Sequence, residues 1–179
     1  DARLMPVKVL SADGWGTVAD VADGIRWAAD HGADVINLSL GSPFPSRILD
    51  KAIAHAKKKG VVVVAAAGNS MGPVETRVRP GRDADDALAW FSSRGLGVDL
   101  AAPGVGVTQQ TICNGGQNRC ERFPQFSGTS MAAPHVAGAA ALLVSLGVTE
   151  PAAVERALSR AARAPADGKD TARFGAGHL

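Results

Sequence analysis

No stretch of the 179 residues reaches the 18 or so consecutive apolar residues that a membrane-spanning helix needs, so no membrane crossing is expected. Neither sign of charge is in excess: nineteen Lys and Arg against seventeen Asp and Glu leave a formal net charge of +2. The basic residues are scattered apart from Lys57-Lys58-Lys59, which closes a predicted helix, and nucleic acid is not an expected partner. Cysteine is scarce, with only Cys113 and Cys120. They enclose the turn-rich Asn114-Gly115-Gly116-Gln117-Asn118-Arg119, so a local disulfide worth about 2–3 kcal/mol in an oxidising compartment and a pair of free thiols both stay open. No Gly-x-Gly-x-x-Gly or phosphate loop follows a predicted strand, which argues against a nucleotide-binding module. The amino terminus, Asp1-Ala2-Arg3, has neither an initiator Met nor a signal-peptide pattern, and a mature, excised or truncated chain is the expectation.

What is present describes a soluble globule. Hydrophobic residues make up 46% and charged residues 20%, and a chain of this length can hide roughly 70% of its unfolded surface, enough for a sizeable core. Short β-branched runs alternate with amphipathic stretches, the signature of a parallel sheet covered by crossover helices, so the predicted fold class is α/β. A strand is predicted at Met5–Leu10 and a helix from Val18 to Asp30, with Val18, Val21, Ala22, Ile25 and Ala29 on one face and Gly32 as its stop. A strand at Val35–Leu40 leads to a helix from Ser46 to Lys59, with Ile48, Leu49, Ala52, Ile53 and Ala56 inward and Gly60 ending it. Val61–Ala66 is apolar throughout, as a central parallel strand covered on both faces requires. Ser70–Ala89 reads as surface loop. A short strand at Gly97–Ala101 follows, then helices at Ser130–Leu146 and Glu150–Arg163, the second with Thr149 as candidate N-cap.

Ser130 sits where loop turns to helix, so its hydroxyl lies near the positive end of a helix dipole. That suits a nucleophile, and the small Gly128, Ala132 and Ala133 leave room for a peptide backbone. Judged alone, Gly-Thr-Ser reads more simply as a helix start with a Ser cap. Asn69, after Val64-Ala65-Ala66-Ala67-Gly68, projects at the carboxyl edge of a central strand, where open α/β sheets place their sites.

The thirteen residues Phe126-Ser127-Gly128-Thr129-Ser130-Met131-Ala132-Ala133-Pro134-His135-Val136-Ala137-Gly138 resemble the nucleophile segment of the subtilisin-like serine proteases, the subtilases. Val7-Lys8-Val9-Leu10, Asp34-Val35-Ile36-Asn37, Phe91-Ser92-Ser93-Arg94-Gly95, Ala102-Pro103-Gly104 and Phe174-Gly175-Ala176-Gly177 look like further signposts of that family in the proper order. The resemblance implies a three-layer αβα fold with a mostly parallel sheet, here an incomplete subtilisin-like domain over residues 1–179. It implies peptide-bond hydrolysis through an acyl-enzyme on Ser130, with Asn69 as oxyanion donor. It makes Ser39-Leu40-Gly41 and Gly14-Trp15-Gly16 the walls of the substrate groove, with Ala67 and Gly68 beside them, and Trp15 departs towards bulk where smaller residues are common. An extended polypeptide substrate would add as a strand to such a wall.

The family's Asp-Ser/Thr-Gly and His-Gly-Thr-His-x-Ala-Gly segments do not occur in these residues. His135 belongs to the serine helix, five places past Ser130, and reads as structural; His31, His55 and His178 read as helix-end, surface and tail residues. A serine without a proton acceptor is a feeble nucleophile, so the isolated chain is expected to be nearly inert. A Val-Ile-x-Val-Gly-Ala-like strand that the family has between Asn69 and Phe91 also has no counterpart. The expectations are a secreted serine endopeptidase, monomeric, with no cofactor and no metal; a pseudoprotease that keeps a peptide-binding groove is the alternative.

Overall fold

The computed structural model describes residues 2–42, 44–71, 81–82, 88–111, 122–164 and 174–179. Helix α1 (Val18–Asp30) starts at Thr17, whose Oγ1 accepts the Asp20 N–H at 3.1 Å and donates to Asp20 Oδ2 at 2.6 Å. It ends where Gly32 turns to φ +85°. Strand β1 (Val35–Leu38) pairs in parallel with β2 (Val62–Ala65), Val35 opposite Val62 and Leu38 opposite Ala65. Helix α2 (Arg47–Lys58) links them, with Ser46 as N-cap. Helices α3 (Thr129–Ser145) and α4 (Pro151–Ala161) close the chain's second half.

Side-chain alternation divides the layers. Ile36, Leu38 and Val63 point to one face, where they pack with Val21, Ala22 and Ile25 of α1 and Ala52 and Ala56 of α2. Val35, Val62 and Val64 point to the other, against Ala132, Ala133, Val136 and Ala140 of α3 and Val154 and Leu158 of α4. The two-stranded ladder is thus covered on both faces, as the apolar run at 61–66 requires. The result is the expected αβα layering. Among the described residues, four very short strands lie outside that ladder in two pairs: β3 (Gly81–Arg82) parallel to β4 (Ala102–Pro103), and β5 (Val107–Thr108) antiparallel to β6 (Gln125–Phe126).

Several expectations are corrected. Met5–Leu10 forms no ladder, because nothing among the described residues pairs with its backbone; Val7 and Val9 nevertheless alternate inward onto α1, close enough that a Cβ on Gly24 would lie 2.4 Å from Val9 Cγ1. Gly97–Ala101 is no strand either. The Val98 N–H turns back to the Gly95 carbonyl at 3.0 Å, and regular pairing begins only at Ala102. Residues 81–82, expected in a loop, pair with that strand. Helix α4 starts at Pro151 without a side-chain cap, so Thr149 does not cap it; the fixed φ of proline at the first helical position sets the boundary instead. Cys113 and Cys120 lie outside the described residues.

The carboxyl end is stitched into the fold by main-chain bonds: Ala101 N–H to the Gly177 carbonyl at 2.8 Å, Leu179 N–H to the Ala101 carbonyl at 3.0 Å, and a reciprocal pair between Arg163 and His178 at 2.8 Å. His178 is buried with its ring edge-on to Phe174, 4.9 Å between centroids.

Candidate active site

Three chain segments meet at the carboxyl edge of the β1–β2 ladder: the end of β1 at Asn37–Ser39, the turn after β2 at Gly68–Asn69, and the amino terminus of α3. Gly68 takes φ +91°, and the adjoining Ser93 N–H donates to its carbonyl at 3.0 Å. The approach to α3 is fixed by the Gly128 N–H on the Gly104 carbonyl, 2.8 Å, and the Gly106 N–H on Ser127 Oγ, 3.0 Å.

Thr129 joins the second and third segments. Its Oγ1 accepts the Gly68 N–H at 3.1 Å and donates to Asn69 Oδ1 at 2.9 Å, while its backbone N–H donates to the same Oδ1 at 2.9 Å. An amide oxygen holding two donors fixes which way the side chain faces. The two N–H donors of Asn69 Nδ2 therefore turn to the Gly128 side, where a Cβ on that glycine would stand 3.4 Å away.

Ser130, next in the chain, is half-buried at the second position of α3. The capping role open to it on sequence grounds falls to Gly128, which offers no side chain. Its Oγ donates instead to the Ser39 carbonyl at 3.2 Å, and Ser39 Oγ donates to the Ser130 carbonyl at 2.7 Å. Ser130 and Asn69 are thus brought together through Thr129, at a helix terminus whose dipole favours negative charge.

Gly14, Trp15, Gly16, Ser39, Leu40, Gly41, Ala67 and Gly68 line one groove of about 1160 Å³, which runs on between Leu49 and Ile53 of α2 and Val21 and Ile25 of α1. Trp15 is 80% exposed at its rim. Ser130 and Asn69 do not line it; Ser130 adjoins it through Ser39, and Asn69 lies between the lining residues Gly68 and Ser70.

The histidines are engaged elsewhere. His135 Nδ1 meets the Met131 carbonyl at 2.8 Å. His31 stacks on Trp27 with its Nδ1 2.7 Å from the Trp27 carbonyl. His55 bridges to Asp30 at 2.8 Å, and Lys59 reaches the same carboxylate at 3.0 Å. Those two partners hold the Asp30 carboxyl below its ordinary range, the His55 hydrogen bond first and the Lys59 bond second. Among the described residues no group of three His, Cys, Asp or Glu could hold a metal ion, and no helix is long and apolar enough to cross a membrane.

Two contacts at the candidate site escaped the sequence reading. Thr129 orients Asn69, and the Ser39 side chain, rather than its backbone alone, touches the serine peptide. The Gly-Thr-Ser motif carries a hint of the first; nothing local signals the second, whose partners are 91 residues apart.

Known proteins resemble this chain in sequence and in fold. The sequence pattern described as the Subtilase family matches residues 1–177. A thermophilic serine proteinase from Bacillus sp. strain AK1 is 44% identical over 155 residues, 82% of this chain and 37% of that protein. Subtilisin Savinase from Lederbergia lenta is 45% identical over 150 residues, 79% of this chain and 53% of that protein. A protease structure from Pseudoalteromonas arctica superposes with a TM-score of 0.88 at 31% identity, covering 99% of this chain and 60% of that one. The chain spans about half or less of the curated relatives it matches, and with a family match over residues 1–177 and the fold to accompany it, it belongs to the subtilases.

Proposed function

We propose that this chain carries the nucleophile and the oxyanion donor of a subtilisin-like serine endopeptidase, with the catalytic histidine and aspartate contributed by sequence outside these 179 residues. The observation that carries the reading is the Asn69–Thr129–Ser130 junction, which puts an amide donor of fixed orientation beside a half-buried serine at a helix terminus. Ser130 Oγ attacks the scissile carbonyl carbon as its proton passes to the histidine. The carbonyl oxygen gains negative charge and receives an N–H from Asn69 Nδ2. Collapse expels the amine with the proton from the histidine, leaving an ester on Ser130 that water cleaves by the same route. The groove along Gly14-Trp15-Gly16 and Ser39-Leu40-Gly41, with Ala67 and Gly68 also lining it, would take the extended polypeptide substrate.

In the chain as it stands the serine hydroxyl rests on the Ser39 carbonyl, an acceptor too weak to take its proton. Isolated turnover is therefore expected to be nearly nil, in keeping with the loss of about 2 × 10⁶ in kcat carried over from a subtilisin that lacks its histidine. The protein is expected to be secreted, monomeric and free of cofactor.

The test is fluorophosphonate labelling and peptidase assay of the full-length protein. Labelling should be confined to Ser130, Ser130→Ala should abolish turnover, and Asn69→Ala should lower kcat by about 10²- to 10³-fold, a magnitude carried over from a subtilisin. A full-length protein that cleaves peptides equally well as Ser130→Ala would end the proposal. The resting bond from Ser130 Oγ to Ser39 favours one second reading, a pseudoprotease that binds extended peptides without cleaving them. Peptide binding with no labelling of Ser130 in the full-length protein would select it.

A further inference from the structure

An α-helical carbonyl normally accepts the N–H four residues ahead. For Ser130 that residue is Pro134, inside α3, which has no N–H and whose ring crowds the carbonyl four residues back. The peptide that carries the serine is therefore deprived of its helical donor by its own sequence. Ser39 Oγ occupies the vacated place at 2.7 Å, the optimal length for a hydroxyl–carbonyl bond. The Ser39 hydroxyl is itself aimed: it accepts Asn37 Nδ2 at 3.0 Å, so its proton is left to point at Ser130, and Asn37 is held by the β1–β2 ladder opposite Val64.

We propose that Ser39, aimed by Asn37, is a positioning residue for the nucleophile, its hydroxyl replacing the helix donor that Pro134 removes and so fixing the peptide plane from which Ser130 Oγ projects. The proposal rests on the reading of Ser130 as nucleophile. The relay Asn37 to Ser39 to Ser130 ties the serine to the rigid sheet rather than to the first turn of its helix. The weaker return bond, Ser130 Oγ to the Ser39 carbonyl at 3.2 Å, leaves the hydroxyl free to depart towards a base while its peptide stays anchored. The groove-lining role of Ser39 concerns its backbone, whereas this role belongs to its side chain alone.

The coupling is directly testable in the full-length protein. Ser39→Ala should slow both kcat and fluorophosphonate labelling of Ser130 by about tenfold, short of the 10²-fold that a 1 Å misplacement can cost. KM should stay within about twofold, since the backbone wall is unchanged. Ser39→Thr, which keeps the hydroxyl, should restore most of the rate. In a Pro134→Ala background, where an N–H at position 134 can fill the Ser130 carbonyl, adding Ser39→Ala should cost less than about twofold, the non-additivity expected of groups sharing one partner. Equal losses in both backgrounds, a rise in KM with kcat intact, or a lowered melting temperature with unaltered rates would each overturn the positioning role. If Ser130→Ala abolishes turnover while Ser39→Ala does nothing, only this inference fails; if Ser130→Ala is fully active, the nucleophile reading and this inference fall together.

Discussion

Replacing Thr129 by Val exchanges a hydroxyl for a methyl of nearly the same size at a position only 1% exposed, and separates hydrogen bonding from packing at the core of the candidate site. Two bonds end on that hydroxyl, the Gly68 N–H at 3.1 Å and its own donation to Asn69 Oδ1 at 2.9 Å. The half-buried Gly68 N–H loses its acceptor, which costs about 1–3 kcal/mol, while the added methyl returns at most about 1 kcal/mol of burial. The net loss lies between about 0 and 3 kcal/mol, and its middle, about 1–2 kcal/mol, is the expected value. At about 2–4 °C per kcal/mol for a chain of this length, the melting temperature should fall by roughly 2–8 °C. Thr129→Ser keeps both bonds and loses one buried methyl, so it should cost no more than about 1 kcal/mol. The order of melting temperatures by circular dichroism is then wild type, Ser, Val. A Val variant as stable as wild type, or above Ser, would show that apolar burial governs this position and would remove the argument that Thr129 fixes the Asn69 amide.

Gly24→Ala should destabilise despite alanine's better helix propensity, because the new Cβ meets Val9 Cγ1 at 2.4 Å and Val7 Cγ1 at 3.3 Å; a net loss of about 1 kcal/mol in denaturant titration is expected, and a gain would mean that segment 5–10 is not seated on α1. Gly175→Ala puts a Cβ 2.2 Å from the Asp99 carbonyl oxygen at φ +61°, so it should cost at least about 2 kcal/mol and open the tail to proteolysis. Gly32→Ala, at φ +85° with open space around the new Cβ, should cost only about 1–2 kcal/mol and leave the tail protected. The Asp30 carboxyl titrates below its ordinary 3.8 in the folded chain, so its tie to His55 and Lys59 contributes fully above that value and is lost as pH falls through the lower folded one. Asp30→Asn should flatten the acid limb of the melting-temperature profile at low salt, and parallel limbs for the two proteins would refute that assignment.

What was legible in the sequence is what local causes determine. Helix α1 runs from Val18 to Asp30 as read: Gly32 signals its stop from two residues away, and the Thr17 cap at its start, equally local, was not singled out. The β1–β2 ladder was readable from β-branched runs, and pairing trimmed each by a residue or two: Val35–Leu40 shortens to Val35–Leu38, and Val61–Ala66 to Val62–Ala65. Met5–Leu10 shows the limit of that signal. Its alternation correctly places Val7 and Val9 against α1, yet alternation reports only which face is buried, and a strand also needs a backbone beside it. The same gap separates the two halves of the site. Gly128-Thr129-Ser130 and Gly68-Asn69 could be singled out from their own segments, but the bonds that orient them join residues 60, 61 and 91 positions apart. Pro134 is the instructive residue: its lack of an N–H is written in the sequence, so the orphaned carbonyl of Ser130 could have been foreseen, whereas the hydroxyl that satisfies it could be found only once the end of β1 was seen to lie against the first turn of α3.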